Sequence, residues 1–105
     1  MNYLFVCLGG ADRSPTAARI AKEFTSIDDV IKYAGMYANV VHKLTQEMAD
    51  EADIIFALDG EIYEGLLNAY HQPKEKLVCL NILDIYREND PELVKTLRKR
   101  LQDFF

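Results

Sequence analysis

Cys7 is followed by five residues and then by an arginine, a serine and a proline, the run reading Cys7-Leu8-Gly9-Gly10-Ala11-Asp12-Arg13-Ser14-Pro15. A turn of this length from a strand into a helix can wrap its backbone N–H groups around a phosphate, and the helix N-terminus adds the positive end of its dipole. Gly9 and Gly10 permit a tight curl. Arg13 contributes a planar fork of donors that can hold two phosphate oxygens at once, which a lysine cannot do with the same geometry. The expected anion cradle is therefore Leu8, Gly9, Gly10, Ala11, Asp12, Arg13 and Ser14. Cys7 lies at its floor, where the donors that attract phosphate also favour a sulfur anion, and a nucleophile results. The Ser14 hydroxyl can hydrogen-bond that sulfur and stabilise it as a leaving group when a phosphorylated cysteine breaks down. A lone cysteine at a strand end is ordinarily a small buried hydrophobe, and the spacing to Arg-Ser-Pro is what favours the catalytic reading.

The elements that must position this turn are legible as strands alternating with helices. Tyr3 to Cys7 is a short apolar run of the kind found in buried parallel strands, and it ends before Gly9-Gly10. A helix follows, with Ser14 as its expected cap, Pro15 in its first turn and Ala17, Ala18, Ile20, Ala21 and Phe24 as its apolar face. A weaker strand is placed at Val30 to Ala34, stopped by Gly35, with an unpatterned loop from Met36 to Leu44. Thr45 opens a short helix. Asp53 to Leu58 is the clearest strand, backed by a helix from Asp59 to Tyr70 with Ile62, Leu66, Leu67 and Tyr70 on one side. Leu77 to Ile82 is a fourth strand, and Asp90-Pro91-Glu92 opens a last helix with Leu93, Val94, Leu97, Leu101 and Phe104 as its buried stripe. Right-handed crossovers then give an α/β fold: a four-stranded parallel sheet with helices on both faces, binding ligands at the carboxyl ends of its strands.

Composition bounds the rest. The 105 residues suit one domain spanning 1–105, and ordinary apolar and charged fractions, 50% and 28%, leave no linker or disordered arm. A net charge of −5 with no basic cluster longer than Lys95 to Arg100 argues against a nucleic-acid surface, so an anionic substrate needs a local positive site. The Lys95–Arg100 cluster is expected to solvate the last helix. The apolar run from Tyr3 to Leu8 is too short to span a bilayer and lacks the flanks of a secretory signal, which gives a cytoplasmic expectation with no membrane partner. Cys7 and Cys79 make neither a CxxC nor a metal-ligand spacing, so free thiols, no metal and no cofactor are expected. His42 and His71 receive no role, and Cys79 reads as core.

Phe5-Val6-Cys7-Leu8-Gly9 followed by Arg13-Ser14-Pro15-Thr16-Ala17 resembles the signature of the low-molecular-weight protein tyrosine phosphatases, and nearly the whole chain can be laid along them. Tyr33-Ala34-Gly35 stands where that family has Ser-Ala-Gly, and Ala52 to Asp59 is similar to its strand ending in Met-Asp. The short length, the Asp12-Arg13-Ser14 form and the Asp90-Pro91-Glu92-Leu93 ending look most like a compact bacterial subgroup of predicted tyrosine phosphatases. The resemblance implies the nucleophile at Cys7, the phosphate arginine at Arg13, and a general acid in the stretch matching the family's Asp-Pro-aromatic segment, here Asp84-Ile85-Tyr86. Such an acid protonates the leaving oxygen and later takes a proton from water. Asp84 is preferred; Asp90 is the rival, but Pro91 after it makes it a better helix cap.

Further departures from the family follow. Asp12 stands where many members carry a second, protective cysteine, and Cys79, expected on a strand separated from Cys7 by another, is too far for a disulfide. Gly10 replaces the loop asparagine and can take positive φ unaided. Tyr37 and Tyr86 fall where the family walls the entrance to its site; for Tyr37 wall and packing stand level, and for Tyr86 the wall is favoured. Ala11 matches neither the phosphotyrosine nor the phosphoarginine pattern at its position. The leading expectation is hydrolysis of phosphate monoesters, protein phosphotyrosine first, with a phosphorylated protein or a small phosphate ester as partner. Arsenate reduction would need further relay cysteines, a phosphocysteine carrier would not need Arg13 with Ser14, and a binding module with lost turnover is kept open by Ile85 in place of proline. The sequence sets no oligomeric state.

Overall fold

Strands and helices alternate along the computed structural model, which describes all residues from Met1 to Phe105. In order they are β1 (Asn2–Cys7), α1 (Arg13–Ala21), β2 (Val30–Gly35), α2 (Gln46–Glu51), β3 (Ile54–Ala57), α3 (Gly60–Asn68), a 3-10 turn at Lys74–Lys76, β4 (Leu77–Cys79) and α4 (Pro91–Phe104). The sheet is parallel throughout, in the order β2-β1-β3-β4, with Cys7 opposite Gly35 and Val6 opposite Ala57.

Side chains alternate across a strand, and here the two faces of β1 feed two cores. Phe5 and Cys7 pack with Phe56 and Leu58 against Ala17, Ile20 and Ala21 of α1 and Leu93, Leu97 and Leu101 of α4. Leu4 and Val6 pack with Ile55 and Ala57 against Ala49 of α2 and Ile62 and Leu66 of α3. The rings of Phe5 and Phe56 stack at 4.5 Å between neighbouring strands. Both faces are thus covered by helices, which is why the strands read as continuous apolar runs. No helix is long and apolar enough to cross a membrane.

The strand order sets the place of the site. From β1 the chain crosses to β2 on one side, and from β3 it crosses to β4 on the other, so the loops after β1 and β3 part at their carboxyl ends. The turn after Cys7 and the residue Asp59 after β3 therefore flank the same crevice.

β3 and α3 are each shorter at both ends than the sequence reading has them, and three further differences bear on the site. Helix α1 begins at Arg13 after Asp12, so Ser14 is its second residue and does not cap it. The fourth strand stops at Cys79 because Asn81 takes a left-handed φ of 56°, although Leu80 and Ile82 still donate to Ala57 O and Leu58 O. β2 runs on through Gly35, since Gly35 pairs with Cys7 and also accepts from the returning Leu44 N–H at 2.8 Å. Asp90 caps α4 by accepting from Glu92 N–H at 2.9 Å, and Thr45 caps α2 by accepting from Met48 N–H at 3.1 Å.

On the α2 side Asp50 collects hydrogen bonds from Gln46 and from the buried Gln72, and these, helped by Lys76, hold its carboxyl below the ordinary carboxylate value. A carboxyl depressed in the folded state stabilises the fold above its unfolded pKa and loses that contribution as pH falls through the folded value. Urea midpoints should therefore drop below about pH 4, and Asp50→Asn, which keeps an acceptor but cannot titrate, should make that acid slope shallower. Equal slopes for the two proteins would remove Asp50 from the acid response.

Candidate active site

The turn from Cys7 to Ser14 curls over the carboxyl end of β1. Gly10 takes a φ of 66°, a left-handed conformation that favours glycine, whereas Gly9 has open space around it. The curl turns the Gly10 N–H onto Cys7 Sγ at 3.1 Å. Ser14, buried on the first turn of α1, has its Oγ 3.1 Å from the same sulfur and 3.4 Å from Ala34 O. The thiol itself is buried.

Around that sulfur the backbone has donors to spare. The N–H groups of Leu8, Gly9, Ala11 and Asp12 donate to no acceptor within the chain. Those of Arg13 and Ser14, at the start of α1, have no partner within the helix, as at any helix N-terminus. The loop is held from outside by its carbonyls: Met36 N–H donates to Cys7 O and Tyr37 N–H to Leu8 O, both at 3.0 Å.

Arg13 is 1% exposed, and its hydrogen bonds fall on one edge of the guanidinium. Its Nη1 donates to Asp59 Oδ2 at 2.8 Å and to Ile82 O at 2.7 Å. Its Nε lies 3.3 Å from Asp84 Oδ1. Its Nη2 is buried without a partner, a costly state that an anion would relieve. Asp59 has a second duty, since its Oδ1 accepts from Ile62 N–H at 3.0 Å and caps α3. One carboxylate thus ties the β3–α3 junction to the arginine of the β1–α1 junction.

A cleft of about 190 Å³ collects Cys7, Leu8, Gly9, Ala11, Asp12, Arg13, Tyr37 and Asp84. Of the residues expected from the sequence, these share one space, while Gly10 and Ser14 each lie 3.1 Å from the sulfur through the Gly10 N–H and the Ser14 Oγ. Asp84 reaches the arginine from an exposed loop, and Asp90 serves as the α4 cap. Tyr37 stands at the rim, 57% exposed. Tyr86 differs from the wall expected for it: it is half-buried, packs against the core under α1 and α4, and does not line the cleft. Its ring is held there by apolar contact with that core, whereas Ile85 beside it is 72% exposed. Cys79 sits on β4 with β3 between it and Cys7. His42 lies edge-on to Tyr33 at 4.9 Å, away from the sulfur's contacts.

Two contributors were missed by the sequence reading. The sequence reading gives Asp59 a helix start and a place in the family-like strand segment but no part in the site; its signal is an acidic residue at the carboxyl end of a buried strand adjoining β1. Gly35 was taken as a strand stop, yet a Cβ there would lie 2.5 Å from Gly9 C and 2.6 Å from Gly10 N, so its lack of a side chain is what lets the cradle close.

No protein-family model and no curated protein match the chain. Among solved structures it is similar to a low-molecular-weight protein tyrosine phosphatase from Streptococcus pyogenes, with 22% identity over 98% of this chain and 89% of that one and a TM-score of 0.83. It is also similar to Vibrio vulnificus Wzb in complex with benzylphosphonate, at 18% identity over 98% and 95% of the two chains and a TM-score of 0.80. The YwlE arginine phosphatase from Geobacillus stearothermophilus shares 20% identity over 97% and 84%, with a TM-score of 0.69. These likenesses establish the fold, a four-stranded parallel α/β sheet of the low-molecular-weight phosphatase type.

Proposed function

We propose that the protein hydrolyses phosphate monoesters, protein phosphotyrosine foremost, through a phosphocysteine on Cys7. The observation that carries this reading is a set of donors without acceptors, four loop amides and Arg13 Nη2, gathered in the crevice above a buried thiol. Such a set matches a tetrahedral dianion and its trigonal-bipyramidal transition state. The three solved relatives are consistent with it: two are named as phosphatases, one acting on tyrosine and one on arginine, and the third holds a phosphonate.

The chemistry divides into two displacements. In the first, the Cys7 thiolate attacks phosphorus, the S–P bond forms, the P–O ester bond breaks, and Asp84 gives its proton to the departing oxygen. In the second, water attacks phosphorus, Asp84 takes a proton from it, and the P–S bond breaks to return the thiolate. Gly10 N–H and the Ser14 hydroxyl, both 3.1 Å from the sulfur, stabilise it in each direction. Phosphate takes the Nε and Nη2 side of Arg13, so Asp84 must give up its contact with Nε and is released over the leaving group. An exposed tyrosine at the rim, Tyr37, offers a ring face to an aromatic ester.

Rapid-quench kinetics with 4-nitrophenyl phosphate test this. A burst of nitrophenol is expected, with phosphate found on Cys7 by mass spectrometry of the acid-quenched protein. On phenyl phosphate, whose leaving oxygen needs a proton, Asp84→Asn should slow turnover about 10²-fold, and Asp90→Asn should leave it unchanged. No turnover, or phosphate on another residue, would sink the reading; full activity of Asp84→Asn with loss in Asp90→Asn would exchange the acids.

A further inference from the structure

Asp84 rides on a loop that has little of its own to hold it. Its neighbours Leu83 and Ile85 are 66% and 72% exposed, so the segment must be fixed at its ends. The upstream end is pinned at Ile82, whose N–H donates to Leu58 O at 2.7 Å and whose carbonyl accepts from Arg13 Nη1. The downstream end is pinned by α1 and the residue before it. Asp12 Oδ1 accepts from Glu88 N–H at 2.9 Å, and Thr16 Oγ1 accepts from Asn89 N–H at 3.0 Å while donating to Asp12 O at 2.7 Å. Asn89 takes a φ of 61° there, and its side-chain oxygen accepts from Arg19 Nε at 3.0 Å.

We propose that the Asp12 side chain is a positioning residue that holds the 83–88 loop so that Asp84 stays over the Cys7 cradle, an inference that rests on the hydrolytic reading above. The Asp12 carboxylate is otherwise unemployed: α1 starts after it without any side-chain cap. Its one side-chain partner is the amide four residues beyond Asp84. A carboxylate in an anion-binding loop opposes the anion, so a side chain placed here needs a compensating duty, and anchoring the acid loop is one. Without the Asp12 contact the downstream tie moves out to Asn89, held by Thr16 and Arg19, so that between Ile82 and Asn89 only the packing of Tyr86 restrains the segment, and the acid then samples positions from which it cannot reach the leaving oxygen.

The measurement compares kcat/KM for phenyl phosphate, whose leaving group needs a proton, with that for 4-nitrophenyl phosphate, whose leaving group departs as a stable anion. Asp12→Ala should lower the ratio of kcat/KM on phenyl phosphate to that on 4-nitrophenyl phosphate about ten-fold. Asp12→Asn, whose amide oxygen can still accept from Glu88 N–H, should keep the wild-type ratio between the two esters. In an Asp84→Asn background, Asp12→Ala should not lower that ratio further. Equal losses on both esters, an Asn variant as impaired as the Ala variant, or additive losses with Asp84→Asn would overturn the positioning role alone. Absence of turnover in the wild-type protein would overturn the hydrolytic reading and this inference with it.

Discussion

Replacing Arg13 by lysine is expected to lower kcat for 4-nitrophenyl phosphate by about 10²–10³-fold while the chain still folds. The guanidinium does two separable things. One edge is structural, with Nη1 shared between Asp59 and Ile82 O; the other, Nε and Nη2, is what an anion can use. A lysine ammonium has a single nitrogen, and once it serves the carboxylate and the carbonyl it has one proton left for phosphate. The bidentate hold on the transferring group is lost, so the effect should fall mainly on kcat, with a smaller rise in KM. Stability should drop by about 1–2 kcal/mol, because the fully buried site keeps a cation but loses hydrogen-bond geometry. Arg13→Ala should be worse for the fold, by about 3 kcal/mol or more, since it leaves the Asp59 carboxylate without its cation and the Ile82 carbonyl without its donor. Urea unfolding beside steady-state kinetics separates the two roles. A lysine variant with unaltered kcat would mean that the guanidinium is purely structural.

The second large effect concerns a residue that touches no phosphate. Gly35→Ala should cost about 2–3 kcal/mol of stability and remove most of the stabilisation that added phosphate is expected to give the wild-type protein under the proposed function. An ideal Cβ on Gly35 falls 2.5 Å from Gly9 C, 2.6 Å from Gly10 N and 2.8 Å from Gly9 O. All three are backbone atoms, so no rotamer change can make room. Nor can Gly35 retreat, because it is paired to Cys7, donates its N–H to His42 O and accepts from Leu44 N–H, both at 2.8 Å. The strain must therefore move residues 9 and 10, and with them the Gly10 N–H that reaches the sulfur. Gly60→Ala is the control: a Cβ there meets nothing within 4 Å, at the first position of α3, and stability should hold or rise slightly. Unfolding measured with and without inorganic phosphate decides it, and a Gly35→Ala protein that phosphate stabilises as fully as wild type would show that the cradle tolerates displacement.

Much of this molecule was legible because its determinants are local. The strand-turn-helix around Cys7 announces itself through apolar residues, glycines and an arginine at fixed spacing, and Asp90 and Thr45 were recognisable as caps since a cap bonds within one turn. The sheet order was not readable in the same way, but alternation of strands and helices restricts it strongly. What the chain alone offered was a short list of chemical parts, a thiol, a guanidinium and a curl of amides, because they lie within the seven consecutive residues from Cys7 to Arg13. What only the folded chain decided were meetings between residues dozens of positions apart: Asp59 against Arg13, Gly35 against Gly9 and Gly10, Asp12 against Glu88, and Tyr86 turned into the core. These depend on strand register and on backbone-to-backbone distances of a few ångströms, which no local pattern of residue types encodes.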